Sequence, residues 1–125
     1  MLLDTHTLIW FLENDTKLPE DTRNTIETTE KICVSIVILW EMAIKVNINK
    51  LKLGYEFSDL PTLLNQLNIQ ILDITFSDLD IYTALPLHHR DPFDRLIITQ
   101  AQNRSLAIIS KDENFNKYSL PILWG

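Results

Sequence analysis

Leu106-Ala107-Ile108-Ile109-Ser110-Lys111-Asp112 is the stretch on which the fold turns. Leu106 to Ser110 carries no charge, and a charged turn follows at Lys111-Asp112. A strand with one wet face alternates apolar and polar side chains. A continuous apolar run implies cover on both faces, the condition of a strand inside a parallel sheet. Just upstream, Asp91-Pro92-Phe93-Asp94 sets an acid at an N-cap, proline at the first helical position and a second acid three residues on. That pattern predicts a helix running to about Arg104, feeding directly into the buried strand.

The same reading extends outward. Met1-Leu2-Leu3 is a short apolar run ending at Asp4 and reads as a first strand, with a buried helix over Thr5 to Glu13. A second helix starts near Leu18-Pro19-Glu20-Asp21 and runs to about Glu30; Lys31 to Val34 is a second strand. Ser35 is a good N-cap for a helix over Ile36 to about Asn47. That helix is apolar nearly all round, so it should be central and buried. Ser58 opens a helix to about Leu67, Ile69 to Ile74 is a third strand, and Ser77 caps a helix ending before Pro86. His88-His89-Arg90 is a loop, and Pro121 to Trp124 a last short strand. Trp10, Trp40 and Phe93 read most simply as core. The alternation of strands and helices implies an α/β fold: a central, mainly parallel sheet of four to five strands between two helical layers.

The bulk numbers bound the function. With 125 residues, 46% of them hydrophobic, the chain makes one compact domain over 1–125 with a real core. The formal charge of −6, from 11 basic and 17 acidic side chains, argues against a protein that grips nucleic acid by general positive charge. An acidic protein still acts on nucleic acid where a divalent cation bridges carboxylate to phosphate. The single cysteine, Cys33, lies in an apolar run and reads as a buried, inert thiol, consistent with a reducing cytoplasm. No signal peptide is expected, since Asp4 and His6 interrupt the N-terminal apolar run, and no apolar stretch is long enough to span a membrane.

Sites in open parallel sheets form beyond the carboxyl ends of the strands. Asp4 ends the first strand, Asp112 follows the fourth, Glu41 sits on the second turn of the helix after the second strand, and Asp91 and Asp94 open the helix that feeds the fourth. Each has a plain structural reading when taken alone. Asp4 suits a helix cap, Asp91 and Asp94 suit a helix start, and Asp112 suits a turn. Glu41 interrupts an apolar helix and has Lys45 four residues on, a pair worth only about 0.3–0.5 kcal/mol on a surface. Together the acids form a set of hard oxygen donors suited to Mg²⁺ or Mn²⁺ rather than structural zinc. Arg90, Arg95 and Lys45 suit either RNA phosphate or ion pairs with the acids. His88-His89 reads as loop, because adjacent residues rarely point to one ion.

At this level of detail the chain resembles the PIN-domain toxins of bacterial VapBC toxin–antitoxin pairs. The likeness rests on Leu3-Asp4-Thr5-His6, on Ser35 with Leu39-Trp40-Glu41-Met42-Ala43-Ile44-Lys45, on His89-Arg90-Asp91-Pro92-Phe93-Asp94-Arg95-Leu96, and on Ser110-Lys111-Asp112 with Phe115 and Leu123-Trp124. It covers essentially the whole chain and implies a PIN-like three-layer α/β/α fold. It matches Asp4, Glu41 and Asp94 to the three principal metal-binding acids, Asp112 to a more variable fourth, and Ser110 to a small hydroxyl position before it. Asp91 is an added acid of this subgroup: a cap, a support for a ligand, or a ligand itself. His6 stands where many members carry Asn; Thr5, His6, Lys45, Arg95 and Ser110 are the expected supporting or substrate-binding residues. The resemblance further implies a Mg²⁺-dependent endoribonuclease (Mn²⁺ substituting), a homodimer, and inhibition by a cognate VapB-type antitoxin.

Two other classes compete. A non-catalytic module would keep the fold to hold RNA or a protein. A different Mg²⁺ enzyme or phospho-acceptor domain would need other acids: a haloacid-dehalogenase-type phosphatase needs Asp two residues after its nucleophile, where this chain has His6, and a receiver domain is poorly matched after Ile71-Leu72-Asp73.

Overall fold

The computed structural model describes all of residues 1–125. Five parallel strands form one sheet: β1 (Leu2–Leu3), β2 (Ile32–Ser35), β3 (Ile69–Leu72), β4 (Ile108–Ile109) and β5 (Ile122–Leu123), in the order β3-β2-β1-β4-β5. The helices are α1 (Thr5–Leu12), α2 (Glu20–Thr28), α3 (Ile36–Asn47), α4 (Leu60–Gln66), α5 (Phe76–Tyr82) and α6 (Pro92–Arg104). The result is the expected three-layer α/β/α arrangement. None of the helices is long and apolar enough to cross a membrane.

The central strand β1 pairs on one side with β2, Leu2 opposite Cys33 and Leu3 opposite Val34, and on the other with β4, Leu2 opposite Ile108 and Leu3 opposite Ile109. All six side chains are fully buried, which is why their sequences show no alternation. The chain builds outward from β1 to β3, then returns to place β4 on β1's other flank. The strand order therefore reverses between β1 and β4, and at such a switch point the helices that follow diverge and leave a crevice.

Several expectations are corrected. The ladder of β4 spans only Ile108–Ile109, although Leu2 N donates to Ala107 O and Ser110 N to Leu123 O, extending its pairing at both ends. The third strand stops at Leu72. The cap of α5 is Thr75, not Ser77, in a capping box with Asp78. Helix α3 is not buried all round: Ile36, Trp40, Ile44 and Ile48 make an exposed ridge along it, with Trp40 59% exposed. Trp40 is thus not core; its ring meets Phe93 edge-on at 5.1 Å on the surface. A hydrophobic side chain proves burial only when a neighbouring layer exists to cover it. Cys33 is fully buried, as expected.

One charge lies deep in the fold. The Asp78 side chain is wholly buried and takes hydrogen bonds from Arg104 Nη1 at 2.7 Å, Asn103 Nδ2 at 2.9 Å, Thr75 N at 2.9 Å and Gln100 Nε2 at 3.2 Å. Burial pushes its carboxyl upward, but these donors outweigh burial and hold it well below the usual carboxylate range. The network fastens α5 to α6, and through α6 it fixes where Asp94 stands. Asp78→Ala leaves the half-buried Arg104 guanidinium and two amides without their acceptor. It should cost about 2–4 kcal/mol, read as a lower urea midpoint with an unchanged slope. Because the folded-state pKa is depressed, this contribution is complete above about pH 4 and is lost as pH falls toward the folded value. The wild-type urea midpoint should drop below pH 4 more steeply than that of the variant.

Candidate metal centre at the switch point

Asp4 leaves β1 and caps α1: its Oδ1 accepts from Thr7 N at 3.0 Å. Its Oδ2 accepts from the hydroxyl of Ser110, the residue following β4, at 2.5 Å. Ser110 Oγ in turn accepts from Asp112 N at 2.9 Å, and Thr7 Oγ1 donates to Ile109 O at 2.9 Å. The two strands flanking the switch point are thereby tied by side chains as well as by their ladder. The cap expected at Asp4 is made by Oδ1, while Oδ2 is turned to Ser110 across the switch point. Burial pushes the Asp4 carboxyl up, opposed by the hydrogen bonds from Ser110 and Thr7.

Glu41 reaches the same crevice from α3. Its Oε1 accepts from Thr5 Oγ1 at 2.6 Å, and its Oε2 lies 3.3 Å from Lys45 Nζ. The Glu41–Lys45 pair is thus real, but Lys45 is 36% exposed and contributes little to stability. Asp91 caps α6, its Oδ1 accepting from Phe93 N at 2.9 Å and Asp94 N at 3.3 Å. Asp112 accepts from Asn114 N at 2.9 Å and starts a short turn of 3₁₀ helix over Glu113–Lys117.

Asp94, on the first turn of α6, stands among all of these. Its carboxyl is pushed up to about 8, first by burial and then by the charges of Asp91, Asp112, Glu41 and Asp4. The five acids that the sequence singles out therefore share one electrostatic site. Such a set of oxygen donors, carrying more negative charge than it can hold unaided, fits a hard divalent cation. The fit is one of charge rather than of finished coordination: no three His, Cys, Asp or Glu side chains are already close enough to grip one ion.

The remaining expected residues divide. Thr5 and Ser110 orient acids directly. His6 is exposed, its ring 5.6 Å from Trp10, and lines a cleft of about 620 Å³ with Asp4, Trp10, Lys111 and Asp112. Lys45 lines a second cleft of similar size with Glu41, Lys50, Arg90 and Asp91. Arg95 is not brought to the acids. It is buried and donates to the carbonyls of Leu85 at 3.2 Å and Pro86 at 2.9 Å and to the hydroxyls of Tyr82 and Tyr118, each at 3.3 Å. Its role here is to clamp the loop between α5 and α6. His89 and Tyr118 were missed: the His89 ring sits with Nε2 3.6 Å from Asp94 Oδ2 and Nδ1 2.9 Å from Tyr118 Oη. The His89-Tyr118 pairing joins residues far apart in the chain, and no local pattern announces it.

A carboxyl whose folded-state pKa is raised takes up a proton more readily folded than unfolded. Its contribution to stability therefore falls as pH climbs from about 4 to about 8. In chelator, Asp94→Asn should raise the Tm at pH 8 by about 3 °C or more, the change ~1 kcal/mol gives in a domain of this size. The gain should shrink toward pH 5, where the wild-type carboxyl is already neutral. A variant less stable than wild type at both pH values would contradict the repulsion.

Three comparisons bear on these residues. A family model described as the PIN domain matches residues 1–120. No curated protein matches the chain. Among solved structures, VapBC2 from Rickettsia felis, bound to a DNA fragment from its promoter, superposes with a TM-score of 0.74 at 16% identity, covering 99% of this chain and 98% of that one. FitAcB from Neisseria gonorrhoeae gives 0.67 at 18% identity, covering 98% and 95%. A toxin–antitoxin complex from Klebsiella pneumoniae gives 0.65 at 16%, covering 98% and 94%. At these identities the likeness is one of fold.

Proposed function

The chain belongs to the PIN-domain family, and from that premise we propose that it is a Mg²⁺-dependent endoribonuclease, the toxin of a toxin–antitoxin pair. The family's members are generally divalent-metal-dependent nucleases. The observation that carries the reading is the convergence of Asp4, Glu41, Asp91, Asp94 and Asp112 on the crevice at the β1/β4 switch point, where burial and the other acids push the Asp94 carboxyl up. In this reading Asp4, Glu41, Asp94 and Asp112 hold the ion, with Asp91 as α6 cap and outer acid. Bound there, Mg²⁺ (or Mn²⁺) supplies charge neutralisation at a phosphoryl oxygen and a lowered pKa for attacking water.

The chain's own residues do the rest. Thr7 and Ser110 hold both oxygens of Asp4, and Thr5 holds one of Glu41, so two of the acids arrive oriented. Lys45, Lys50 and Arg90 line the cleft beside Glu41 and suit the phosphates flanking the scissile bond. This local basic edge reconciles an acidic protein with a polyanionic substrate.

The partners follow from the same reading. The solved neighbours include a toxin–antitoxin complex, which supports a cognate VapB-type antitoxin for this chain. The exposed ridge of Ile36, Trp40, Ile44 and Ile48 supports a homodimer through α3. Cytoplasmic residence accords with the free, buried Cys33. Trp40→Lys should convert a dimer into a monomer by sedimentation velocity; an unchanged dimer would place the contact elsewhere.

The catalytic reading is tested by incubating purified, antitoxin-free protein with a labelled, structured RNA pool in Mg²⁺, Mn²⁺ or EDTA. Cleavage should be abolished by EDTA and reduced at least about a hundredfold by Asp4→Asn or Asp94→Asn, the scale on which charge stabilisation at a reacting centre is lost. Full metal-dependent cleavage by either variant would overturn the assignment. The incomplete gathering of ligands favours one other reading, a module that binds RNA without cutting it. RNA binding without turnover in either metal would select that reading.

A further inference from the structure

The polar chain behind Asp94 reaches a carboxylate that the proposed function counts as a ligand, and the inference here rests on that reading. Arg95 Nη1 donates to Tyr118 Oη at 3.3 Å, and Tyr118 Oη lies 2.9 Å from His89 Nδ1. His89 Nε2 is buried, without a hydrogen-bond partner, and 3.6 Å from Asp94 Oδ2. A guanidinium has only donors, so its contact with Tyr118 must use a lone pair of the hydroxyl. The hydroxyl proton is then left with a single acceptor in reach, His89 Nδ1. An imidazole that accepts at Nδ1 carries its proton at Nε2, where it faces the Asp94 carboxylate. The opposite tautomer would strand the tyrosine proton and, with Asp94 ionised, oppose a bare ring nitrogen to a carboxylate oxygen.

We propose that His89 is a positioning residue for Asp94: the Arg95–Tyr118 pair fixes its tautomer so that Nε2–H holds and aims one carboxylate oxygen, leaving the other for the cation. The arrangement resembles the outer partners that orient ligands at metal sites generally, whose loss typically weakens metal binding 10–100-fold. The 3.6 Å separation is longer than a hydrogen bond, and such contacts shorten when a site is assembled. The clamp explains why a buried arginine serves a loop: Arg95 Nη1 also lies 3.4 Å from the His89 carbonyl, fixing ring and backbone together.

Two measurements test this. In ¹⁵N-histidine-labelled protein at about pH 9, where Asp94 is ionised with or without Mg²⁺, the ring nitrogen shifts of His89 should report a protonated Nε2 and a bare Nδ1. Tyr118→Phe should abolish that preference. A protonated Nδ1 in the wild type, or a tautomer indifferent to Tyr118→Phe, overturns the relay. Mg²⁺ affinity by calorimetry should fall 10–100-fold in His89→Ala and recover largely in His89→Gln, whose amide N–H stands near the place of Nε2. Both variants are first confirmed to be folded by circular dichroism. Undiminished Mg²⁺ affinity in His89→Ala contradicts the positioning role. If the wild type itself binds no Mg²⁺, the metal reading of the site has failed, and the spectra still decide the tautomer.

Discussion

Five carboxylates cannot be gathered at one point of a folded chain without a cost, and much of this structure is organised around bearing it. The parallel sheet creates the difficulty. By sending every strand in one direction it delivers Asp4 and Asp112 to the same edge, and the reversal between β1 and β4 opens the space into which Glu41, Asp91 and Asp94 also turn. The clearest sign is Asp94, whose carboxyl is pushed up to about 8 first by burial and then by the charges of the other acids. A site that is strained when empty of cation discriminates strongly for one, because binding relieves repulsion as well as forming bonds.

Around that centre the supporting groups fall into a pattern. Three of the acids are held by neighbouring groups: Asp4 by Thr7 and Ser110, Glu41 by Thr5 and Lys45, and Asp112 by the Asn114 backbone. The hydroxyl and backbone donors orient without neutralising, so that charge remains available to a ligand. Deeper in the fold, Asp78 shows the contrasting solution. It too is a buried carboxylate, but it is saturated by Arg104, Asn103, Gln100 and Thr75, and its proton affinity falls accordingly. Asp78 anchors α6 and Asp94 works from it: the same residue type with opposite partners.

How much of this was legible beforehand depended on the range of the interaction. The cap at Asp91 and the Ser35 cap are local patterns and stand where the sequence put them, and the strand before Ser110 stands there with a shorter ladder. The acids were legible because strand ends in a parallel sheet share one edge. Trp40 and the α3 ridge were misjudged because burial depends on whether another layer arrives, which no single helix can state. Arg95 was read by charge type as a partner of either RNA phosphate or the acids, and it stands as a buried clamp. His89 was set aside as loop; its pairing with Tyr118 crosses 29 residues, and no local pattern carries a contact of that range. Thr75 displaced Ser77 as a cap because Asp78 reaches back to it, a competition between two adequate local signals.

The central claim is that the acids jointly hold a divalent cation, with Asp94 giving up a proton as it enters. The most direct measurement is calorimetric titration of Mg²⁺ into metal-free protein at pH 7 in buffers of different ionisation enthalpy, which counts protons released per ion bound. The account predicts binding with release of about one proton, since a carboxyl with pKa about 8 is mostly protonated at pH 7, and loss of that release in Asp94→Asn. Absence of Mg²⁺ binding, or binding that releases no proton, would contradict it.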